Sequence, residues 1–358
     1  MLVKKLIAGA NFVCLSLTLF SQSAVNDSIK PVAKPVFTCS ADAYYRMDPA
    51  GTAANNKTSF TNSNNSFELG MASVKMEHTT GKVGLVADVG FGKRAEEFSY
   101  ADDRTRFIIK QLNLAYSLKN GLKFTLGSWA THVGYELVDA YSNRNYSMAY
   151  LFSYGPFFHT GLKAEKTFGK SSLMLGLANP TDLKSTTLNS KYAIAQFSTA
   201  LADDALKFYL NFQGGKPNDT TRVTQLDLVA TYAISDKWSL AFDGSAASFA
   251  AKIAEGDFGD AKTWWGAAAY INADPKPWLG LCLRSEYFSD QSGLNVFSLA
   301  PEGGATWANT LSFNFKVENL VLIPEIRYEN ASEAIYLDKD AAADKSALSF
   351  LLAAVYKF

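Results

Sequence analysis

Apolar and polar residues alternate at every second position along most of the chain, in segments of about ten residues separated by turn-forming residues. Between residues 306 and 318, Leu311, Phe313 and Phe315 share one face, and the residues between them are polar. Such alternation is typical of β-strands with one apolar face. The pattern predicts strands at 38–46, 66–77, 82–91, 106–118, 122–130, 157–168, 171–179, 190–201, 204–214, 222–234, 236–249, 262–272, 277–289, 306–318, 320–330 and 346–358.

The predicted connections are sorted by length, with short turns and long loops alternating along the chain. Short turns are predicted at 78–81, 119–121, 169–170, 202–203, 235, 273–276 and 319, and long loops at 47–65, 92–105, 131–156, 180–189, 215–221, 250–261, 291–305 and 331–345. A soluble sandwich shows the same alternation within its strands, but it has no reason to sort its loops. Outer-membrane barrels do, with short periplasmic turns and long extracellular loops. The sequence therefore predicts an all-β fold, a closed antiparallel transmembrane β-barrel of about 16 strands, with about 14 to 18 compatible with the pattern.

The first residues have the layout of a secretory signal peptide. Lys4 and Lys5 precede an apolar stretch, Leu6–Phe20, and small residues follow at 21–24. The apolar stretch is short for a transmembrane anchor, which is the alternative interpretation. We therefore expect a signal peptide at 1–23, a periplasmic lead-in at 24–37 and a barrel at 38–358.

The last predicted strand carries alternating apolar residues and ends on an aromatic residue. Phe350, Leu352, Tyr356 and Phe358 share one face. This strand resembles the signal that outer-membrane barrels present to the barrel assembly machinery, with Tyr356 and Phe358 as its aromatic positions. An ordinary edge strand that ends in phenylalanine is the alternative.

Composition excludes several function classes. The formal net charge is zero, and no basic stripe suggests a nucleic-acid partner. Aromatic residues make up 13 % of the chain, as expected for girdles at the two surfaces of the outer-membrane lipid. Cys39 and Cys282, which remain after the predicted cleavage, lack metal-ligand spacing, and no motif predicts a cofactor.

Charged residues fall on the polar face of the predicted strands, where they would line the lumen. These residues are Asp88, Lys163, Glu165, Lys207, Asp227, Asp243, Arg284, Glu286, Lys316, Glu325 and Arg327. On the lipid face each would cost a few kcal/mol. A hydrated channel with mixed charges and little ion preference is favoured over a closed network of salt bridges, because about 16 strands enclose more space than side chains alone fill.

The predicted loop 131–156 is the longest connection and contains charged and aromatic residues. Folded inward, it would narrow the pore and set its selectivity. The alternatives are a loop that caps the barrel or packs on a neighbouring subunit. The residues predicted to line or constrict the pore are Glu136, Asp139, Arg144, His159, Lys163, Glu165, Asp227, Arg284, Glu286, Glu325 and Arg327.

His132 and His159 bracket this loop and invite a hydrolase hypothesis, with Ser128 and Asp139 nearby. Such catalysis needs a nucleophile, a base and an orienting group within mutual reach. No serine stands out from a serine-rich background, so the sequence favours a non-enzymatic role. His159 is more simply a hydrogen-bonding residue of the lumen.

Three neighbouring segments resemble a known family. They are Gly-Ser-Trp-Ala-Thr-His-Val-Gly-Tyr-Glu at 127–136, Asn-Arg-Asn-Tyr-Ser at 143–147 and Gly-Pro-Phe-Phe-His-Thr-Gly at 155–161. This run is similar to the β-barrel porin family described as OmpL-like, densely over 121–168 and elsewhere in strand pattern alone. The resemblance implies an outer-membrane porin, a passive diffusion channel for small hydrophilic solutes, but it brings no defined binding residues. A closed structural or adhesive barrel is the alternative function, and a homotrimer is compatible with a porin of this size.

Overall fold

The computed structural model describes residues 33–254 and 256–358, so the predicted signal peptide lies outside the described residues. Sixteen antiparallel strands form a closed barrel, and the expected fold class is confirmed. The barrel strands are β1 Val36–Met47, β2 Ser66–Thr80, β3 Val83–Phe91, β4 Ile109–Ser117, β5 Leu122–Ala130, β6 Phe158–Phe168, β7 Ser171–Ala178, β8 Tyr192–Leu201, β9 Leu206–Asn218, β10 Thr221–Ala233, β11 Trp238–Ala254, β12 Asp257–Lys276, β13 Leu279–Asp290, β14 Gly304–Val317, β15 Leu320–Ala331 and β18 Ser346–Lys357. A small hairpin of β16 Tyr336–Leu337 and β17 Ala343–Asp344 precedes the last strand, and loops hold the short helices α1 Lys93–Phe98 and α2 Tyr150–Ser153.

The barrel closes between its first and last strands. β1 pairs with β18 from Ser40 opposite Lys357 to Met47 opposite Phe350. Two backbone hydrogen bonds between Cys39 and Phe358, of 2.9 and 3.0 Å, extend this seam. The terminal phenylalanine thus takes part in the closure that leaves the sheet without a free edge, as a bilayer requires.

Each predicted strand matches an observed strand, but two long loops were predicted wrongly. The segment 215–221 is mostly strand, since β9 runs to Asn218 and β10 starts at Thr221. The segment 250–261 is likewise taken up by the extended ends of β11 and β12. Beyond the lipid both faces of a hairpin are wet, so strand pairing there needs no apolar alternation and leaves no such pattern in the sequence.

The outward face of the barrel is apolar. Leu210, Leu226 and Leu228 point away from the lumen, with 52 %, 55 % and 40 % of their surface exposed. Tyr116, Trp238, Trp278 and Tyr356 are exposed beside the short turns, where amphipathic rings match the lipid headgroups. Among the described residues, no helix has the length and hydropathy needed to cross a membrane.

Buried side chains lie inside the barrel. One cluster joins Trp264, Tyr270 and Phe288 of the wall to Tyr150 and Leu151, which belong to the connection between β5 and β6. The lumen therefore contains a segment of the protein's own chain, which contributes residues to three of the five buried apolar clusters of the described residues.

Because the outward face of the barrel is apolar, the cost of placing a charge on it should depend on how deep the position lies in the membrane. Leu228→Arg places a charge on the outward face at the middle of β10 and should lower the free energy of unfolding by about 2–4 kcal/mol. The same change at Leu201, at the end of β8 beside a short turn, should cost no more than about 1 kcal/mol, because the charge reaches the headgroups. Denaturant titration in lipid vesicles, followed by tryptophan fluorescence, measures both. Equal losses at the two positions would contradict this placement of the membrane.

Candidate functional site

The connection between β5 and β6, residues 131–157, lies inside the barrel; we call it the inner loop. Tyr146, Met148 and Tyr150 are completely buried. The loop contacts inward-facing residues of β1, β4 and β10–β15, so it crosses the lumen rather than capping it. In a closed barrel this position puts the loop across the path of any solute.

The start of the inner loop is held by two aspartates of the wall. The backbone N–H of Gly134 donates to Asp227 at 3.1 Å, and that of Tyr135 donates to Asp243 at 2.9 Å. Gly134 has φ +89°, a conformation that glycine adopts without strain. Both amides thereby obtain partners in a place where no neighbouring strand can supply them.

Two glutamates of the wall bind the second half of the loop in the same way. Glu325 of β15 accepts the backbone N–H groups of Tyr146 and Ser147, at 2.9 and 3.2 Å. Glu286 of β13 accepts those of Tyr150 and Leu151, both at 2.9 Å. Carboxylates make strong hydrogen bonds to backbone donors at such sites.

Two arginines of the wall bind the complementary carbonyl groups. Arg284 donates to the carbonyl of Ser147 at 2.8 Å and to the carboxylate of Glu136 at 2.5 Å. Arg327 donates to the carbonyl of Met148 at 2.9 Å and to Glu329 at 2.9 Å. Arg284 and Glu286, neighbours of opposite charge in the sequence, therefore serve different groups of the loop rather than each other.

The other two charged residues predicted in the loop also meet wall residues of opposite charge. Asp139 accepts a hydrogen bond from Lys110 of β4, whose ammonium group lies 3.1 Å from Asp88. Arg144 pairs with Asp274 of β12 at 2.5 Å. Each charge of the inner loop is thus matched by one on the wall.

Lys163, Glu165 and His159 line a separate part of the wall on β6. Glu165 lies 3.6 Å from Lys163 and 3.1 Å from Lys123. The rings of His159 and His132 are 4.9 Å apart, and His159 Nε2 lies 3.3 Å from the Thr131 hydroxyl. Burial lowers the pKa of His132 to about 4, so this ring is neutral at physiological pH. The two rings join the start of the inner loop to the strand that follows its end.

Several residues of the site were not among those predicted. Asp42 lies on the inward face of its predicted strand, so the alternation contains the signal for it. Lys110 does not fit the alternation: it has the parity of the outward Leu112, and it turns inward where the pairing of β3 with β4 shifts register. Asp42 accepts the Tyr146 hydroxyl at 2.5 Å. A Cβ at Gly70 would lie 1.8 Å from the Asp42 carboxylate, so the neighbouring strand β2 needs a residue without a side chain at this position.

Arg94 of α1 had no such signal in the sequence. It is completely buried, with its guanidinium 4.7 Å from the Tyr146 ring centroid and 4.8 Å from that of Phe60. The loop between β3 and β4 thus packs on the inner loop as well, through a contact between distant parts of the chain.

The comparison with known proteins agrees with this geometry. The model of the family described as "Putative beta-barrel porin-2, OmpL-like" matches residues 36–358. The chain belongs to this porin family. It is an outer-membrane porin, a passive diffusion channel. No curated protein sequence matches it.

Solved porin structures share the fold of this porin at low sequence identity. A trimer form of OmpT from Vibrio cholerae has a TM-score of 0.60 and 12 % identity, covering 91 % of this chain and 99 % of its own. An anion-selective porin from Comamonas acidovorans gives 0.60 and 11 %, with coverage of 91 % and 99 %. The channel DcaP of Acinetobacter baumannii gives 0.58 and 12 %, with coverage of 92 % and 98 %.

The buried pair of Arg284 and Glu136 gives a prediction for the porin's stability. Arg284→Met should destabilise the fold by about 3–5 kcal/mol, because Glu136 is then left as a buried charge without its partner. The double variant Arg284→Met/Glu136→Gln should recover a large part of this loss, since no uncompensated charge remains. Hydrogen exchange of residues 131–157 should rise in the single variant and fall again in the double one. A single variant with unchanged exchange in this segment would show that the pair does not hold the loop.

Proposed function

We propose that the inner loop forms the constriction of this porin and that solutes pass between the loop and the wall. The observation that carries the proposal is the pairing of all three loop charges with the wall: Glu136 with Arg284, Asp139 with Lys110 and Arg144 with Asp274. Buried pairs and backbone contacts fix the loop at many points, so the width of the passage is set by a defined structure rather than by a mobile segment.

Charge balance at the constriction supports weak ion selectivity. The wall contributes both signs, through Lys163 and Glu165 as well as through the partners of the loop. The whole chain has a formal net charge of zero. Selectivity then rests mainly on solute size, with weak electrostatics.

The family and the fold indicate a channel, and we propose in addition that the protein has no enzymatic activity. His132 Nε2 donates to the carbonyl of Phe212 at 3.1 Å, and His159 contacts the Thr131 hydroxyl. These contacts support a role for both rings in closing the base of the inner loop, in place of proton transfer to a substrate.

Export and assembly complete the proposal. Residues 1–23 are removed as a signal peptide, and the last strand, with Tyr356 and Phe358, is recognised by the assembly machinery before the barrel enters outer-membrane lipid. The trimer form of the similar OmpT structure supports a homotrimer. Chemical crosslinking of detergent-purified protein tests the oligomeric state.

Shortening the inner loop should widen the pore. Deletion of residues 139–146 removes the segment that crosses the lumen between β4 and β15, and single-channel conductance in a planar bilayer should rise. Deletion of residues 339–342, at the exposed tip of the hairpin between β16 and β17, is the control and should leave conductance unchanged. Equal conductance of the first variant and the wild type would reject the inner loop as the constriction. A wild-type protein that inserts but shows no conductance would favour the closed structural barrel instead.

Removing one wall charge should make the channel cation-selective. The wild type should give a reversal potential near zero in a salt gradient, because charges of both signs are balanced. Lys110→Met leaves the carboxylates of Asp88 and Asp139 uncompensated and should shift the potential toward that of a cation-selective pore. Lys252→Met, on an exposed part of β11, is the matched control. A strongly displaced wild-type potential would contradict the balanced constriction.

A further inference from the structure

A cavity of about 360 Å³ opens at the extracellular mouth of the barrel; we call it the mouth cavity. Its size lies within the range of small-molecule sites. Four loops contribute to its wall. The residues that line it are Ser59, Glu97, Tyr100, Ser153, Tyr154, Gly155, Phe157 and Asp182.

Hydrogen bonds between the loops build the cavity in advance of any ligand. Glu97 accepts the backbone N–H of Phe60 at 2.6 Å and the amide of Asn62 at 2.8 Å. The Tyr154 hydroxyl donates to the carbonyl of Lys57 at 2.8 Å, and the Ser59 N–H donates to the Ser153 hydroxyl at 3.0 Å. A site whose walls are fixed in this way loses little conformational entropy on binding.

Asp182 closes the far side of the cavity. Its carboxylate accepts the backbone N–H groups of Phe157 and Phe158, at 2.7 and 3.0 Å, and the Tyr100 hydroxyl at 3.2 Å. The side chain is buried, so it adds negative charge to an enclosed place. Glu97 adds a second carboxylate to the same cavity.

Among the described residues that line the cavity, none is basic. Lys184 acts on Asp182 from outside the lining, but its ammonium group donates to Ser99 at 2.7 Å and pairs with Asp102, so its single charge is shared between two carboxylates. Lys93 donates to the carbonyl of Asn62 at 3.2 Å. The electrostatic field inside the cavity therefore favours a positive ligand.

Aromatic rings complete the lining. Tyr100 meets Phe157 edge-on at a centroid distance of 6.1 Å, and Tyr154 provides a third ring. Ring faces attract cations, and they suit organic ammonium groups whose methyl or methylene groups also need apolar contact. A bare metal ion has no alkyl groups for the rings to contact.

We propose that the mouth cavity binds a small organic ammonium ion, with Glu97 and Asp182 neutralising its charge and the rings enclosing its alkyl groups. This site goes beyond the diffusion function, because binding at the mouth requires no passage through the constriction.

Calorimetric titration of the detergent-purified wild-type protein with choline tests the proposal. Choline should bind saturably, and its neutral isostere 3,3-dimethylbutan-1-ol should bind at least about tenfold more weakly, since it lacks the charge. Equal binding of the two compounds, or no binding of either, would overturn the proposal.

The binding measurement is independent of the proposed pore, because calorimetry in detergent does not depend on ion flow. Choline binding without conductance would leave this site standing and reject the proposed constriction pore, and conductance without binding would do the reverse.

Variants locate the site. Glu97→Gln should weaken choline binding by about tenfold, because it removes a charge while keeping an acceptor for the Phe60 amide. Glu96→Gln, next to it on the exposed face of α1, is the matched control and should change the affinity less than about twofold. Equal effects of the two variants would show that the general negative charge of the mouth, and not this cavity, attracts the ligand.

The pH dependence of binding provides a test on the wild type that needs no variant. Burial raises the pKa of Asp182 to about 7, against the opposing effect of its hydrogen bonds and of Lys184. The other titratable groups that face it are Tyr100 and Tyr192. A bound cation favours the ionised carboxylate, so choline affinity should rise as the pH increases from about 6 to about 8. Asp182→Asn should flatten this rise. An affinity independent of pH in the wild type would remove Asp182 from the site.

Discussion

The backbone of the inner loop must find hydrogen-bond partners inside a barrel, and much of the lumen is organised by that requirement. A strand in the wall has its N–H and C=O groups satisfied by its neighbours, whereas a segment crossing the lumen has none alongside it. Here the wall supplies acids for the amides and arginines for the carbonyls. Glu286 and Glu325 each accept two consecutive N–H groups, and Arg284 and Arg327 bind the carbonyls between them. These charged residues of the lumen therefore act as anchors of the inner loop.

This requirement also explains why the charges of the lumen are mixed. Amides need acceptors and carbonyls need donors, and neutral side chains supply some of them, as Asn314 does for the Arg144 carbonyl. Where the wall uses charged side chains instead, acids serve the amides and arginines serve the carbonyls. The side-chain charges of the loop then pair across the remaining gap, as Asp139 does with Lys110. A lumen with charges of only one sign would leave either the amides or the carbonyls without charge-assisted hydrogen bonds.

The membrane part of the fold could be predicted from the sequence, because a lipid-facing strand has to alternate. Each predicted strand is present, and Asp227, Arg284, Glu286, Glu325 and Arg327 all lie on the inward face as alternation requires. The hairpins of β9 with β10 and β11 with β12 extend further than the predicted strands, because the constraint of alternation ends above the lipid.

The hydrogen-bond and ion-pair partners of each charged residue could not be predicted from the sequence either. Glu286 binds amides 135 and 136 residues away, and α1 brings Arg94 onto Tyr146 from a separate loop. Such contacts depend on how three loops fold together in the lumen, which has no local period in the sequence.

One continuous segment, the inner loop, contributes to both the proposed constriction and the mouth cavity. Residues 149–151 are bound to Glu136 and Glu286 in the lumen, and residues 153–157 form one side of the cavity. The short helix α2 joins the two, so a shift of either end would be transmitted over a few residues. Asp182 holds the end of this segment through the amides of Phe157 and Phe158. A cation that stabilises the ionised form of Asp182 would strengthen that anchor, and by linkage a more firmly anchored loop would bind the cation more tightly. The contacts that hold the inner loop in the lumen thus also link the proposed constriction to the mouth cavity.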